Sequence, residues 1–484
     1  AMVHAFHARD KKQRDFRLYA GRINYIQMKQ IKQLPLVRRG VYKSGIYFRE
    51  LHRRTKPYGS LASRTIGGIY GEDGVGNSGL EMSMEQYLHG ESGISTRQRV
   101  AGRMENVPVV EAQDGYDVVT TLDANLLDIC ENALRQRLIK TEADWGCCIL
   151  MEVHSGEIKA ICNLDRSQDG YYYEMSNHAV TRVEPGSTFK TIALMAALDD
   201  GKVSIDDSVR VYSRGWDYGA AHHVDSHPRD TTYTVRSALA VSSNIALAKI
   251  ITESYEKKAV KFVNKLKRMG ICDSVYSEIP GATPPRIDVP NDAVTLSKMA
   301  YGYSVELSPM QILTFYNGIA NDGKMIRPYL VKRIEEKGHV VKSFDTETLK
   351  SSMCRESTLR DIRAALHDVV WDNHLGTASV NPWGMPKAQS PYVAIAGKTG
   401  TAQLFMQGRY WGNRHRMTFV GYFPEEQPEY TCICMINYPK NQGYYDAGMD
   451  CGSVVRQIAE KVMAYAGLYT YKNGQLIFHK YESE

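Results

Sequence analysis

The chain has 484 residues, 43% hydrophobic and 24% charged, with a formal net charge of +6. The length exceeds one ordinary domain and the composition is globular, which excludes a disordered or fibrous chain and leads us to expect two or three domains. The charge is uneven: residues 1–69 carry 16 Lys+Arg against 3 Asp+Glu, net +13, leaving 44 and 51 for the remainder, net −7. A basic end beside an acidic body fits anionic lipid, an acidic partner or a plainly solvated face. Nucleic acid is a rival reading, but no zinc-finger or RNP-like pattern supports it.

No run approaches 18 apolar residues, so no transmembrane helix is expected, and no signal peptide is visible. The opening Ala1-Met2 reads as an appended start, so a membrane anchor is expected to have been cut away. Nine cysteines lack C-x-x-C spacing, which indicates neither a disulfide framework nor a zinc site. Cys147, Cys148, Cys162, Cys432 and Cys434 lie in apolar β-rich runs and read as small core residues.

In chain order, residues 16–56 mix apolar and basic residues, with helical spacing at Ile23, Ile26, Ile31 and Leu34. Glycines from Gly67 to Gly79, then Leu88 to Gly93, predict a module of loops and short strands. Val118 to Leu122 reads as a strand, and Asp123 caps a helix running to Leu138. Cys147 to Val153 and Glu157 to Cys162 flank a hairpin turn. Glu184-Pro185-Gly186-Ser187-Thr188-Phe189-Lys190 then opens a helix that Asp199-Asp200-Gly201 stops.

His222, His223, Asp225 and His227 lie in a loop-like stretch without i, i+4 pairing, so a metal site carries little weight there. A helical pair surrounds Val241-Ser242-Ser243-Asn244, and helices over 292–319 break at Ser308-Pro309. Strands are predicted at Val393 to Ala396, Met417 to Phe423 and Tyr430 to Asn437, followed by an amphipathic helix through Val454, Ile458 and Val462. The tail after Tyr469 is polar and uninformative.

Ser187 and Lys190 are three residues apart, hence on one helix face. A serine is a poor nucleophile without a base, and lysine serves only if its pKa is depressed. Alone the spacing means little: about two Ser-x-x-Lys matches arise by chance in such a chain, and Ser254-Tyr255-Glu256-Lys257 is a decoy. Ser242-x-Asn244 likewise has a decoy in Ser379-Val380-Asn381, whereas Lys398-Thr399-Gly400 occurs once, in a predicted strand end.

Together and in this order, the three motifs resemble those of penicillin-binding proteins and serine β-lactamases. Thr121-Leu122-Asp123, Ser308-Pro309-Met310-Gln311-Ile312 and Ala320-Asn321-Asp322-Gly323 are similar to the class B branch. So are Arg53-Arg54-Thr55-Lys56-Pro57-Tyr58-Gly59 and Gly79-Leu80-Glu81, in the pedestal that precedes its transpeptidase domain, and Tyr301-Gly302-Tyr303 leans to the division-specific branch. The resemblance implies an α+β fold: an elongated N-terminal pedestal (1–113), a transpeptidase domain (114–468) with a five-stranded antiparallel sheet flanked by helices, and a tail (469–484).

It implies catalytic roles for Ser187, Lys190, Ser242, Asn244 and Lys398, and binding of substrate or β-lactam by Thr399, Gly400 and Thr401. Ser187 is to attack the D-Ala-D-Ala bond of a peptidoglycan stem peptide, with the amides of Ser187 and Thr401 as oxyanion hole. No metal or cofactor is implied. Partners are stem peptides, β-lactams and, through the pedestal, a membrane glycosyltransferase and other division proteins, with no nucleic acid. The implied location is the bacterial membrane, single-pass anchored, with the catalytic domain outside the cytoplasm. A D,D-carboxypeptidase or a β-lactam sensor are the alternatives. A β-lactamase lacks support, because no Glu-x-x-Leu-Asn stands between the second and third motifs.

Overall fold

The computed structural model describes residues 18–19, 23–48, 55–71, 74–100, 103–275, 278–406, 408–440, 445–467, 469–472 and 475–478. They fall in two compact units, Ala1–Pro57 and Tyr58–Glu484. Arg53 and Arg54 of the pedestal motif lie outside the described residues.

In the first unit, the apolar spacing around Ile26 becomes helix α1 (Tyr25–Lys32). Asn24 and Gln27 close a capping box, each side chain accepting from the other's backbone N–H at 2.9 Å. Lys29 and Lys32 sit in the last turn, where the helix dipole favours cations.

The second unit opens with the loop-and-short-strand module that its glycines predict, including a ladder of Gly68–Tyr70 with Val75–Ser78. It then forms a long hairpin, β1 (Ile94–Val100) with β2 (Arg103–Val110), that the sequence did not announce. Its first strand is mostly Ser, Thr, Arg and Gln, so no apolar period marks it. Strand β3 (Asp117–Thr120) joins a three-stranded sheet, and Asp123 caps α2 (Ala124–Thr141) by accepting from the N–H groups of Asn125 and Leu126.

The predicted hairpin is β4 (Trp145–Glu152) with β5 (Ile158–Arg166), extended by the two-residue β6 (Tyr172–Tyr173). Then follow α3 (Phe189–Asp199), α4 (Val235–Ala240), α5 (Asn244–Tyr255), α6 (Pro309–Ala320) and α7 (Glu356–Trp371). Strands β7 (Ala396–Met406), β8 (Arg409–Phe423) and β9 (Tyr430–Asn437) and helix α8 (Ser453–Tyr465) complete the body.

Two expectations need correction. The strand predicted over Val393 to Ala396 begins at Ala396 and continues through Lys398-Thr399-Gly400 to Met406, so the motif lies inside it. The Ser390 hydroxyl takes the N–H groups of Tyr392 and Val393, which turns the preceding segment. The tail is not featureless either: Tyr469–Lys472 pairs antiparallel with Gln475–Phe478.

The main sheet is antiparallel in the order β7-β8-β9-β4-β5-β6, the five expected strands plus the short β6. Both its faces are covered, so its strands read as continuous apolar runs rather than alternating ones. Cys147, Ile149 and Met151 of β4 pack into the core that holds α3, α5 and α6, while Cys148 and Leu150 face α2 and α8. The pedestal end is tied to this body by Glu174, which accepts from Arg64 N at 2.8 Å and Asn163 N at 2.9 Å. Burial lifts the Glu174 carboxyl to about 7.

Candidate active site

The nucleophile's turn is built before the helix. A helix was expected from Ser187; instead Gly186–Thr188 forms a 3-10 turn and α3 starts at Phe189. Gly186 takes φ +55°, and a Cβ there would stand 3.0 Å from Ala402 Cβ and 3.1 Å from Thr401 O. Behind it sits Gly302 of the Tyr301-Gly302-Tyr303 turn, where a Cβ would fall 2.0 Å from Gly186 O. Glycine at both positions therefore lets three backbones meet at the serine.

Buried Tyr316 of α6 donates to Thr188 O at 2.9 Å and Thr191 Oγ1 at 2.8 Å, pinning the start of α3. Ser187 itself is half-buried, and its hydroxyl makes no hydrogen bond with the described residues. Lys190 points inward from the next turn and is fully buried. Its Nζ donates to Ser242 O at 2.5 Å and lies 3.1 Å from Ser242 Oγ.

Lys398, equally buried, reaches the same hydroxyl from β7 at 2.9 Å and donates to Thr399 O at 3.0 Å. One serine oxygen thus stands between two lysines no more than about 6 Å apart. At that distance two ammonium charges would repel by about 3 kcal/mol in a medium of effective dielectric 20. Burial brings Lys190 down to about 7, against a smaller upward pull from Asp225. Burial and the Lys190 charge also push Lys398 well below its usual range. The charge of one lysine therefore disfavours the charge of the other in this buried site.

Ser242 adopts φ +58°, a left-handed conformation that costs a non-glycine residue about 1–3 kcal/mol and persists only when its surroundings enforce it. Asp225 does the enforcing. Its carboxylate accepts from Ser243 Oγ at 2.8 Å, Asn244 N at 2.6 Å and Ile245 N at 3.0 Å, locking the start of α5. The Asn244 side-chain amide donates to Val224 O at 2.7 Å rather than to a group of the lysine pair.

Sequence reasoning missed Asp225 as a positioning residue, having weighed it only as a metal ligand. Three of the four residues of that stretch take separate partners. His222 bonds Asp217, while His223 bridges Tyr301 Oη at 2.9 Å and Ser297 Oγ at 3.0 Å. Burial pushes His223 down to about 4. His227 is exposed, and among the described residues no group of three His, Cys, Asp or Glu could hold a metal.

Strand β7 lies against this turn with its free edge. A Cβ on Gly400 would come 2.9 Å from Thr188 Cγ2. Thr399 Oγ1 pairs with Thr377 Oγ1 at 2.6 Å, and Thr401 Oγ1 touches Met417 Sδ at 3.7 Å. Gln403 N donates out of the sheet, to Tyr303 Oη at 3.2 Å. In an antiparallel ladder alternate residues face the partner strand, so Thr401 N–H and Thr399 N–H also point outward. The amide of Thr401 therefore faces the Ser187 turn, as an oxyanion donor must.

Residues 146–464 match the penicillin binding protein transpeptidase domain, and residues 7–120 the penicillin-binding protein dimerisation domain. The chain belongs to the penicillin-binding protein transpeptidase family. Its dimerisation domain ahead of the transpeptidase domain is the class B arrangement.

This penicillin-binding protein is 27% identical over 432 residues to the probable peptidoglycan D,D-transpeptidase PenA of Neisseria meningitidis serogroup A, covering 85% of this chain and 68% of PenA. It is 25% identical over 472 residues to stage V sporulation protein D of Bacillus subtilis, covering 93% and 69%. Penicillin binding protein 2X from Streptococcus thermophilus has the same fold at TM-score 0.73 and 21% identity, over 84% of this chain and 62% of that one. The chain thus spans about two thirds of the length of these relatives.

Proposed function

We propose that this chain is a serine D,D-transpeptidase that cross-links peptidoglycan stem peptides through an acyl-enzyme at Ser187. The observation that carries it is the Ser242 hydroxyl held between two buried lysines, Lys190 and Lys398, beside the Ser187 turn. Family membership and the printed names of PenA and of peptidoglycan D,D-transpeptidase FtsI of Buchnera aphidicola support the reaction class.

In this reading neutral Lys190 takes the Ser187 proton as Oγ bonds to the carbonyl carbon between the two terminal D-alanines. The N–H groups of Ser187 and Thr401 receive the oxyanion. Ser242 passes the proton to the leaving amine as the C–N bond breaks, and D-alanine departs. Lys398, Thr399 and Thr401 hold the terminal carboxylate, Gly400 allows the close approach of β7, and Asn244 lines the cleft. An amine of a second stem peptide then attacks the ester. The new C–N bond forms, the bond to Ser187 Oγ breaks, and the amine's proton returns to the serine. β-Lactams acylate the same oxygen.

The pedestal, taken as residues 1–113, is read as the surface that meets a membrane glycosyltransferase and other division proteins, with its positive charge next to anionic lipid. The natural protein is read as anchored in the bacterial membrane by one span, with its transpeptidase domain outside the cytoplasm. Among the described residues no helix is long and apolar enough to cross a membrane. A septal role follows the Tyr301-Gly302-Tyr303 turn and the likeness to FtsI.

Intact-mass spectrometry with benzylpenicillin tests the reading. One adduct per chain is expected, absent in Ser187→Ala and persisting for many minutes to hours, because no Glu-x-x-Leu-Asn stands between the second and third motifs and Glu184 and Asp225 are both committed to other contacts. Loss of one catalytic base is worth roughly 10²–10⁴-fold in rate. Adduct retained in Ser187→Ala, or turnover of a chromogenic cephalosporin at several per second, overturns it.

A further inference from the structure

The geometry points to Tyr303 as a specificity-determining residue, a plug on the edge of β7 that a donor peptide must displace when it extends two residues upstream of the scissile bond. This rests on the transpeptidase reading above. Strand β7 is the edge of the six-stranded sheet, and its outward side runs beside Ser187. That side offers two successive stations, Thr401 opposite the serine turn and Gln403 about 7 Å further along, two residues at the usual strand rise. An extended peptide adding to a sheet edge bonds its backbone to alternate stations. With its acyl residue at Thr401 and its chain antiparallel to β7, the residue two positions upstream falls at Gln403.

That second station is taken. Gln403 N–H donates to Tyr303 Oη at 3.2 Å. Tyr303 is braced for the purpose: its ring stands edge-on to Tyr410 at 5.2 Å and to Tyr301 at 5.6 Å. Tyr410 Oη in turn donates to Glu184 Oε1 at 2.8 Å, and the same carboxylate oxygen accepts from Ser304 N at 3.2 Å. Glu184 lies three residues before Ser187, and Tyr303 follows the Gly302 that docks on Gly186. The plug and the nucleophile are thus mounted on the same pair of turns.

A donor ending just past its acyl residue, or a β-lactam nucleus, stops at Thr401 and leaves the plug in place. A longer donor exchanges the tyrosine hydroxyl for its own carbonyl at Gln403. Tyr303 therefore sets the preference between long and short donors without touching the reacting atoms.

The test uses two thioester donors on the full chain: an N-acetylated D-alanyl thioester, and the same thioester lengthened by two residues at its amino end. In each, Ser187 Oγ forms the ester as the C–S bond breaks, and the thiol leaves with the serine proton. Tyr303→Phe keeps the ring packing and removes the plug's oxygen. The long-to-short ratio of acylation rates is expected to rise about three- to tenfold, the worth of one neutral hydrogen bond, with the short donor unchanged. Gln403→Pro removes the N–H on the side of an edge strand where proline is tolerated. In that background Tyr303→Phe is expected to have no further effect on the ratio.

An unchanged ratio in Tyr303→Phe, an equal change for both donors, or a rise that survives in Gln403→Pro overturns the inference. Failure of the wild type to be acylated by either thioester or by penicillin instead overturns the transpeptidase reading, and this inference with it.

Discussion

The two ends of α3 break the same electrostatic rule with opposite consequences. A helix dipole favours anions at the N-terminus and cations at the C-terminus, yet α3 carries Lys190 in its first turn and Asp199 as its last residue. At the C-terminal end the conflict is compensated. Lys265, only 8% exposed, forms ion pairs with Asp199 and with Asp200, and Asp199 also accepts from Arg355 N and Thr358 Oγ1. Burial works to raise the Asp199 carboxyl, but these partners together hold it below its usual range.

At the N-terminal end nothing compensates. Lys190 meets a backbone carbonyl and a hydroxyl, with Asp225 acting on it only at a distance. A buried lysine that is paired is architecture. One that is left without a carboxylate gives up its proton more readily, which is what a general base needs.

The contrast is broken most severely at the reacting end. Lys190→Met is expected to lower the rate of penicillin acylation by about 10²–10⁴-fold, the usual worth of a positioned base. Intact-mass time courses measure this, and a loss below about tenfold assigns the proton transfer to another group. At the other end, Lys265→Met takes the shared ammonium from two partly buried carboxylates, which keep Arg355 and Arg268 as longer ion-pair partners. About 1.5–3 kcal/mol of stability should disappear in urea denaturation, the worth of a charge-assisted contact, while acylation of the folded protein stays within about twofold of wild type. Were the two variants to lose activity alike, the distinction between the helix ends would be wrong.

Much of the site was legible because its chemistry is local. Ser187 and Lys190 meet through spacing on one turn, Asp123 caps the helix that follows it, and the apolar runs of β4, β8 and β9 announce a sheet buried on both faces. What escaped depends on contacts without sequence period. Asp225 reaches Ser243, Asn244 and Ile245 from 18–20 residues away, out of a loop no pattern predicts. The 3-10 turn at Ser187 depends on the approach of Gly302, over a hundred residues later. The β7–β8 hairpin runs past its predicted ends through polar and aromatic residues such as Phe405 and Tyr410, whose ring centroids lie 5.0 Å apart, a ladder that apolar runs do not reveal.

A smaller effect sharpens the comparison by perturbing Lys190 through its neighbour. Asp225→Asn weakens the cap of α5, at about 0.5–2 kcal/mol of stability, and acylation is expected to fall about tenfold as Ser242 loosens. The charge change has its own signature. Asp225 pulls the Lys190 pKa upward, so its removal should let the neutral lysine appear at lower pH. The acid limb of the acylation profile should therefore move to lower pH, which a purely structural defect would not do. An unmoved limb confines Asp225 to holding the turn.

The smallest effect is thermodynamic, and it reads the protonation state directly. Folding brings Lys190 down to about 7, while an unfolded lysine titrates near 10.4. Between those values the unfolded chain binds more protons than the folded one, so stability rises with pH. Below about 7 both states hold the proton and the contribution is flat, at its most unfavourable. In Lys190→Met that source of slope is gone, and Lys398, relieved of a cationic neighbour, holds its own proton more readily. Urea denaturation at intervals from pH 6 to 9.5 should show wild type gaining on the variant as pH rises, by at most about 1.4 kcal/mol per pH unit from each lysine. Parallel curves over that range would mean that Lys190 stays charged in the folded protein. The contrast between the two ends of α3 would then reduce to geometry, and the base would have to be sought elsewhere.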